Sequence, residues 1–375
     1  MKQILVQQNE AGQRLDKLLS KILNKAPKSF IYKMLRKKNI VLNGKKADGS
    51  EKLVLQDEIK LFLSDDTIEQ FSEPVETTEV EQRLSVLYED QNILIVNKPL
   101  GVLSQKAEKD DISMVEYIIS YLLSSKQITK EQLSSFKPSI CNRLDRNTSG
   151  ILIAGKSLLG LQEMARLLKD RSLDKYYLCI VRGKVEGKKR IEGYLSKDED
   201  KNLVKIYSKQ TEGTDYICTE YEPLKYSKNV MNARIAADKA HEMLQRPNQT
   251  IHEKTQKSSH FNNNDLKAQQ NNRIHESDDP QGIFTLLQVK LITGKSHQIR
   301  AHLSSIGHPL IGDFKYGNQR TNHYFKKNFD LSHQLLHSYR MVFPDMPGEL
   351  SYLSKKEFKA EVPELFEKIS KELFG

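Results

Sequence analysis

The sequence predicts an α+β protein: a main domain on a mixed or antiparallel sheet, preceded by a small α/β module. Three observations carry this. Apolar strands and amphipathic helices intermix over residues 84–375 without the regular strand–helix alternation of a parallel sheet. Residues 1–64 place two short helical periods and an Asn-Gly hairpin in one segment. Residues 65–83 are acidic and polar, include Pro74, have few apolar side chains to bury, and read as a linker.

From Met1 to Gln8 residues alternate as in a strand, without the apolar core of a signal peptide. Leu15, Leu18, Leu19, Ile22 and Leu23 fall at helical spacing. A second helix follows over residues 29–38, with Ser29 as the expected cap. Asn39–Leu42 then reads as a strand running into the Asn43-Gly44 turn, and Asp57–Leu63 as its neighbour.

In the main domain, Ile93–Val96 is apolar throughout, as in a strand covered on both faces. Ser113–Ser124 and Leu158–Leu168 carry helical stripes that fit a core better than a cofactor site. Later strands are expected at Tyr216–Tyr221, Phe284–Leu291 and Gln334–Phe343, with helices at Gln298–Ser305 and near Pro363–Ile369. Residues 228–281 are rich in Asn, Gln, His, Lys and Asp and poor in apolar side chains after Leu244. Such a segment cannot offset its ordering entropy, so a disordered insertion is expected, with 231–244 its most helical piece. His241, His252, His260 and His275 within it lack metal-ligand spacing.

The 375-residue chain carries a net charge of +10 and a pI near 9.1, which points to a polyanionic partner. The excess is concentrated: Ala11–Leu63 holds 13 Lys and Arg against 5 Asp and Glu. Lys33, Arg36, Lys37 and Lys38 form a basic cluster on the second helix, suited to phosphates. Cys141, Cys179 and Cys218 are far apart and show no ligand spacing, which fits free thiols in a reducing cytoplasm. No stretch reaches the ~18 uninterrupted apolar residues a spanning helix needs, so no membrane partner is expected.

The chemistry concentrates at Ile140-Cys141-Asn142-Arg143-Leu144-Asp145-Arg146-Asn147-Thr148-Ser149-Gly150, followed by the apolar run Ile151–Ala154. A strand entered through a charged tip brings Asp145 to the mouth of a sheet, between guanidinium groups that favour its ionised form and can bind phosphate. Three further stretches accompany it: Tyr88–Gly101 ending in Lys98-Pro99-Leu100-Gly101, Lys175–Gly183 with Tyr176-Tyr177, and Thr293–Leu303 continuing through Gly307–Asp313.

Together, in this order, these stretches resemble the RluA-type pseudouridine synthases, and the N-terminal segment resembles an S4 RNA-binding domain. The resemblance covers most of the chain outside residues 228–281. It implies an enzyme that breaks the ribose C1′–N1 bond of a uridine, turns the base and rejoins it through C5, with no redox cofactor or metal. It assigns the reaction to Asp145, paired with Arg300, a fork that is always charged. Tyr177 would stack on a flipped uracil, Ile299 would wall the pocket, and Arg143 would enter the space the base vacates. Lys98 is a candidate phosphate contact or a structural part of its turn, and His297 and His302 read as structural hydrogen-bonders. The carboxylate of Asp145 can attack C1′ or take a sugar proton, and the sequence leaves both routes open. Asn142 departs from the family, which most often has His there. It keeps hydrogen-bonding capacity but carries no charge, which puts the pH profile in doubt.

The expected partner is structured RNA, first large-subunit ribosomal RNA (23S) and alternatively transfer RNA, bound by a cytoplasmic monomer. A non-catalytic RNA-binding assembly factor is the reading from another class, but Asp145, Tyr177 and Arg300 are all present. A glycosidase or metal nuclease would want paired carboxylates or a ligand cluster, and neither pattern is visible.

Overall fold

The computed structural model describes residues 1–73, 75–81, 83–227 and 282–375. The insertion expected at 228–281, with its helical piece and its histidines, lies outside the described residues. The N-terminal module runs β1 (Lys2–Leu5), α1 (Leu15–Ile22), α2 (Lys28–Arg36), β2 (Ile40–Leu42), β3 (Lys45–Lys46), β4 (Glu58–Leu61) and α3 (Asp65–Phe71). There follow β5 (Val86–Glu89), β6 (Ile93–Lys98), α4 (Met114–Ser124), α5 (Lys130–Ser135), β7 (Ser139–Ile140), β8 (Ser149–Gly155), α6 (Leu158–Lys169) and β9 (Asp174–Arg182). Then come β10 (Lys189–Asp198), β11 (Leu203–Tyr207), β12 (Asp215–Tyr226), β13 (Phe284–Leu291), α7 (Gln298–Ser305), α8 (Gln319–Phe329), β14 (Leu336–Val342), β15 (Glu357–Lys359) and α9 (Glu364–Phe374). This is the α+β class that the mixed order of elements predicts.

In the module, the sheet order is β1-β4-β2-β3, and α1 and α2 bury Leu15, Leu18, Leu19, Ile31 and Leu35 against it. Asn43 and Gly44 both take positive φ, as a two-residue hairpin turn requires. Two expectations need correction. Ser29 does not cap α2: Pro27, at φ −65°, occupies that position and starts the helix one residue early. The segment read as a linker opens with α3, capped by Ser64, whose Ile68 and Phe71 join the module's core; the Phe71 and Phe30 rings pack tilted, with centroids 4.3 Å apart. Two apolar residues one turn apart suffice to dock a helix that is otherwise acidic.

The described residues divide into two units. The first holds residues 1–177, 290–297 and 336–363, and the second 178–289, 298–335 and 364–375. Within the first unit β14, β8, β6 and β5 lie side by side, β14 parallel to β8 and the others antiparallel. β8 is buried at every position, which explains its unbroken apolar run. One face packs Ile93, Ile95, Ile151 and Ile153 with Met164 of α6 and Phe343; the other packs Leu94, Val96, Leu152 and Ala154 with Ile118 and Leu122 of α4. α4 is fastened by a capping box between Ser113 and Glu116. Gly150, at φ +110°, lies so close to β14 that a Cβ would sit 2.1 Å from the Ser338 carbonyl oxygen.

Within the second unit β11-β10-β12-β13 form consecutive neighbours, and α7 buries Ala301 against Leu195, Val204 and Ile217. α9 is longer than the tail helix the sequence suggests, because Ile369 and Leu373 continue its buried stripe after Phe366. No helix among the described residues is long and apolar enough to cross a membrane.

Candidate active site

The Asp145 loop is built from β7, β8 and the turn after β6, all in the first unit. At its base Cys141 N donates to the Ile153 carbonyl, and Asn142 Oδ1 accepts from Ile153 N at 2.8 Å. Asn142 therefore clamps the loop to β8 through its side-chain amide, which accepts from Ile153 N and donates to Ile151 O, a role that needs no charge. Leu144 turns inward, and its N–H donates to Ser104 Oγ at 2.9 Å while that hydroxyl donates to Leu144 O at 2.7 Å. Thr148 N donates to Asp145 O at 3.0 Å, closing the turn.

The Lys98–Gly101 turn holds the far side. Gly101 N donates to Arg146 O, and Arg146 Nε donates to Gly101 O, each at 3.0 Å. Lys98 Nζ donates to Arg146 O at 3.1 Å and to Pro99 O at 2.8 Å. Lys98 is 0% exposed, so the expectation that it contacts RNA phosphate is overturned. Its ammonium has been taken out of water and satisfied by carbonyls, which makes it part of the scaffold under Asp145. Burial pushes its pKa down to about 8, with the Asp145 charge acting in the opposite direction.

Against this fixed backbone the Asp145 side chain keeps 28% exposure, with His297 Nε2 at 4.0 Å from Oδ2. His297 takes a positive φ of 53°, an uncommon conformation for a side-chain-bearing residue, at the end of the segment that the first unit takes from residues 290–297. In the sequence, membership of the Thr293–Leu303 stretch is the signal that points to His297, and it does not place the ring beside the carboxylate. Tyr177 is buried on β9, and burial lifts its phenol to about 12, with the Asp145 charge adding in the same direction. Arg143, two residues before Asp145, is exposed. The structure thus brings Asp145, His297, Lys98 and Tyr177 into one neighbourhood of the first unit, with Arg143 on its surface.

Arg300 and Ile299 belong to α7 in the second unit, and both are buried. Arg300 binds Asp313 through Nε and Nη2, a bidentate pair between side chains that are 8% and 0% exposed. In the same helix Gln298 Nε2 donates to Cys218 O and Thr219 Oγ1, and His302 Nδ1 meets Thr219 Oγ1 at 3.1 Å. Burial drives the His302 pKa down to about 4, and with its bond to Thr219 His302 is a neutral interior hydrogen-bonder, the structural role expected of it. Of two residues whose roles emerge only from the fold, Asp313 had a visible sequence signal, since Gly312-Asp313 closes the third motif. Ser104 had none.

On the N-terminal module, Lys33, Arg36, Lys37 and Lys38 are all exposed around the end of α2. They form a basic surface of the kind that tracks phosphates.

Comparison with known proteins matches the family described as RNA pseudouridylate synthase over residues 92–305, a span that includes both the Asp145 and Arg300 stretches. An uncharacterized RNA pseudouridine synthase of Mycoplasma genitalium is 26% identical over 97% of this chain and 97% of its own length. A ribosomal large subunit pseudouridine synthase C of Rickettsia bellii is 28% identical over 96% of this chain and 95% of its own. A ribosomal large subunit pseudouridine synthase D of Borreliella burgdorferi is 26% identical over 76% of this chain and 66% of its own.

Proposed function

This chain belongs to the RNA pseudouridylate synthase family, and from that premise we propose that it isomerises uridines of large-subunit ribosomal RNA with Asp145 as the acting carboxylate. The observation that carries the reading is the Asp145 loop: its backbone is pinned on both sides while its carboxylate keeps 28% exposure. The ribosomal substrate is supported by the names of the relatives that match along nearly the whole chain.

The reaction needs no co-substrate. The C1′–N1 bond breaks, a C1′–C5 bond forms, the C5 hydrogen leaves as a proton, and N1 takes one up. Asp145 acts as an anion at the ribose, by attack at C1′ or by removing a sugar proton. Arg300 supplies a permanently charged, planar guanidinium to the reaction. Tyr177 supplies an aromatic face for the turned base and Ile299 an apolar wall. Arg143 enters the space the flipped nucleotide leaves. The basic end of α2, in an S4-like domain, holds flanking phosphates, and the protein acts as a cytoplasmic monomer.

Mapping pseudouridines in total RNA from cells with and without this protein tests the substrate. The expected result is loss of discrete sites in large-subunit ribosomal RNA. Loss confined to transfer RNA would replace the ribosomal substrate, and an unchanged map would leave only an RNA-binding role.

A further inference from the structure

The Gly312-Asp313 end of the third motif touches no reacting atom. Asp313 is 0% exposed, so it touches neither solvent nor RNA. Its Oδ2 accepts from Arg300 Nε at 2.7 Å and its Oδ1 from Arg300 Nη2 at 2.9 Å. Oδ1 also accepts from the backbone N–H groups of Lys315 and Tyr316 at 3.0 and 3.1 Å. The Asp313 carbonyl accepts from Gly317 N and from Asn322 Nδ2, each at 2.8 Å, and Asn322 Oδ1 accepts from Gly312 N at 2.9 Å. The carboxylate cannot shift unless the whole turn shifts with it. The turn has no slack: a Cβ on Gly312 would lie 2.0 Å from His333 O, and one on Gly317 would lie 2.1 Å from Asp313 O. Tyr316 completes the brace, with its ring centroid 5.3 Å from Arg300 Cζ and its hydroxyl accepting from Val204 N.

We propose that Asp313 is a positioning residue for the reaction, fixing the plane and roll of the Arg300 guanidinium through the turn that Asn322 holds. An arginine is a long side chain with a rigid fork at its end. Two parallel hydrogen bonds from Nε and Nη2 set the direction in which Nη1 points, without further constraint from the helix. A buried ion pair gives little net stability over apolar side chains of the same volume, so orientation is the effect to measure.

The proposal rests on Arg300 acting in the reaction, and the experiment separates the two. Total RNA tritiated at uridine C5, from cells lacking this protein, releases label to water when C5 bonds to C1′. Single-turnover release rates, RNA affinity and thermal midpoints are compared for the wild type, Arg300→Ala, Asp313→Asn and the double variant. A misplaced catalytic group costs about 10²-fold, so each single variant is expected to slow release by about that factor while affinity is unchanged. The double variant is expected to be no slower than Arg300→Ala, because Asp313 acts through Arg300. Wild-type speed in Arg300→Ala would remove Arg300 from the reaction and Asp313 with it. Wild-type speed in Asp313→Asn alone, or losses that multiply in the double variant, would overturn the positioning role and leave Arg300 in place. Should Asp313→Asn fail to fold, Asn322→Ser loosens the turn with both charges kept. It is expected to slow the wild type and add nothing to Arg300→Ala; an equal slowing in both backgrounds would overturn the role.

Discussion

The cations at the end of α2 and the single lysine beneath Asp145 carry the same charge and do opposite things. Lys33, Arg36, Lys37 and Lys38 stand in solvent around the end of α2, a helix whose other face is core. Lys98 is sealed under the loop, its ammonium bound to the Pro99 and Arg146 carbonyls. Exposed cations attract a polyanion at long range and lose that attraction with salt. A buried cation feels little salt and fixes a backbone. Charge count in a sequence therefore marks the surface that meets RNA, while the charge that shapes the reactive loop is invisible to the same count.

The largest effect expected from burial falls on interior histidines. His337 accepts from Ser149 Oγ through Nδ1 at 2.8 Å, the tautomer required by its Nε2 donating to Ala360 O at 3.1 Å. Burial pulls the pKa values of His337 and His302 from 6.5 to about 4. The unfolded chain then takes up protons first as pH falls, so stability is lost from pH 6.5 down to about 4. Each histidine accounts for up to about 3 kcal/mol of that loss. Denaturant unfolding at a series of pH values measures it. His337→Asn and His302→Asn should each flatten the slope, and an unchanged slope would show that the rings are already charged in the fold.

Lys98→Met comes next. It keeps the volume and removes the ammonium, so turnover should fall about 10²-fold as the loop loosens. RNA affinity and its salt dependence should stay as in the wild type, and a shallower salt slope would restore Lys98 to phosphate binding. Replacing Lys33, Arg36, Lys37 and Lys38 together by Ala should do the reverse. Affinity is expected to fall about tenfold at low salt and the salt slope to shrink, with the rate on saturating RNA preserved. A loss of rate on saturating RNA would tie this surface to the chemistry. The smallest effect is at α4, where Ser113→Ala removes a capping box and should cost about 1 kcal/mol in unfolding experiments, with RNA affinity unmoved.

Elements with strong periodicity were legible in the sequence. α7 runs over the residues its spacing predicts, and β8 is the apolar run that follows the Asp145 loop. The β10–β11 hairpin was not, because its strands carry Lys, Arg, Glu, Asp and Tyr along their length and bury few positions, among them Leu195 and Val204. α8 was missed for a similar reason: Gln319–Phe329 is polar, and Thr321, Asn322 and Phe325 are the positions it buries. In the site, Asp145 was readable from its motif. The burial of Lys98 was not, since one of its carbonyl partners lies 48 residues away. Asp313, in a turn after glycine, reads as a surface acid until α7 brings the Arg300 fork onto it from 13 residues upstream.

The central claim is that a partly exposed carboxylate on a pinned loop carries the isomerisation. The direct measurement is single-turnover pseudouridine formation by Asp145→Asn on RNA that the wild type modifies, with binding followed on the same samples. The account predicts no detectable product at wild-type affinity, because Asn keeps the shape and loses the negative oxygen. Product at a rate near that of the wild type would place the chemistry on another residue.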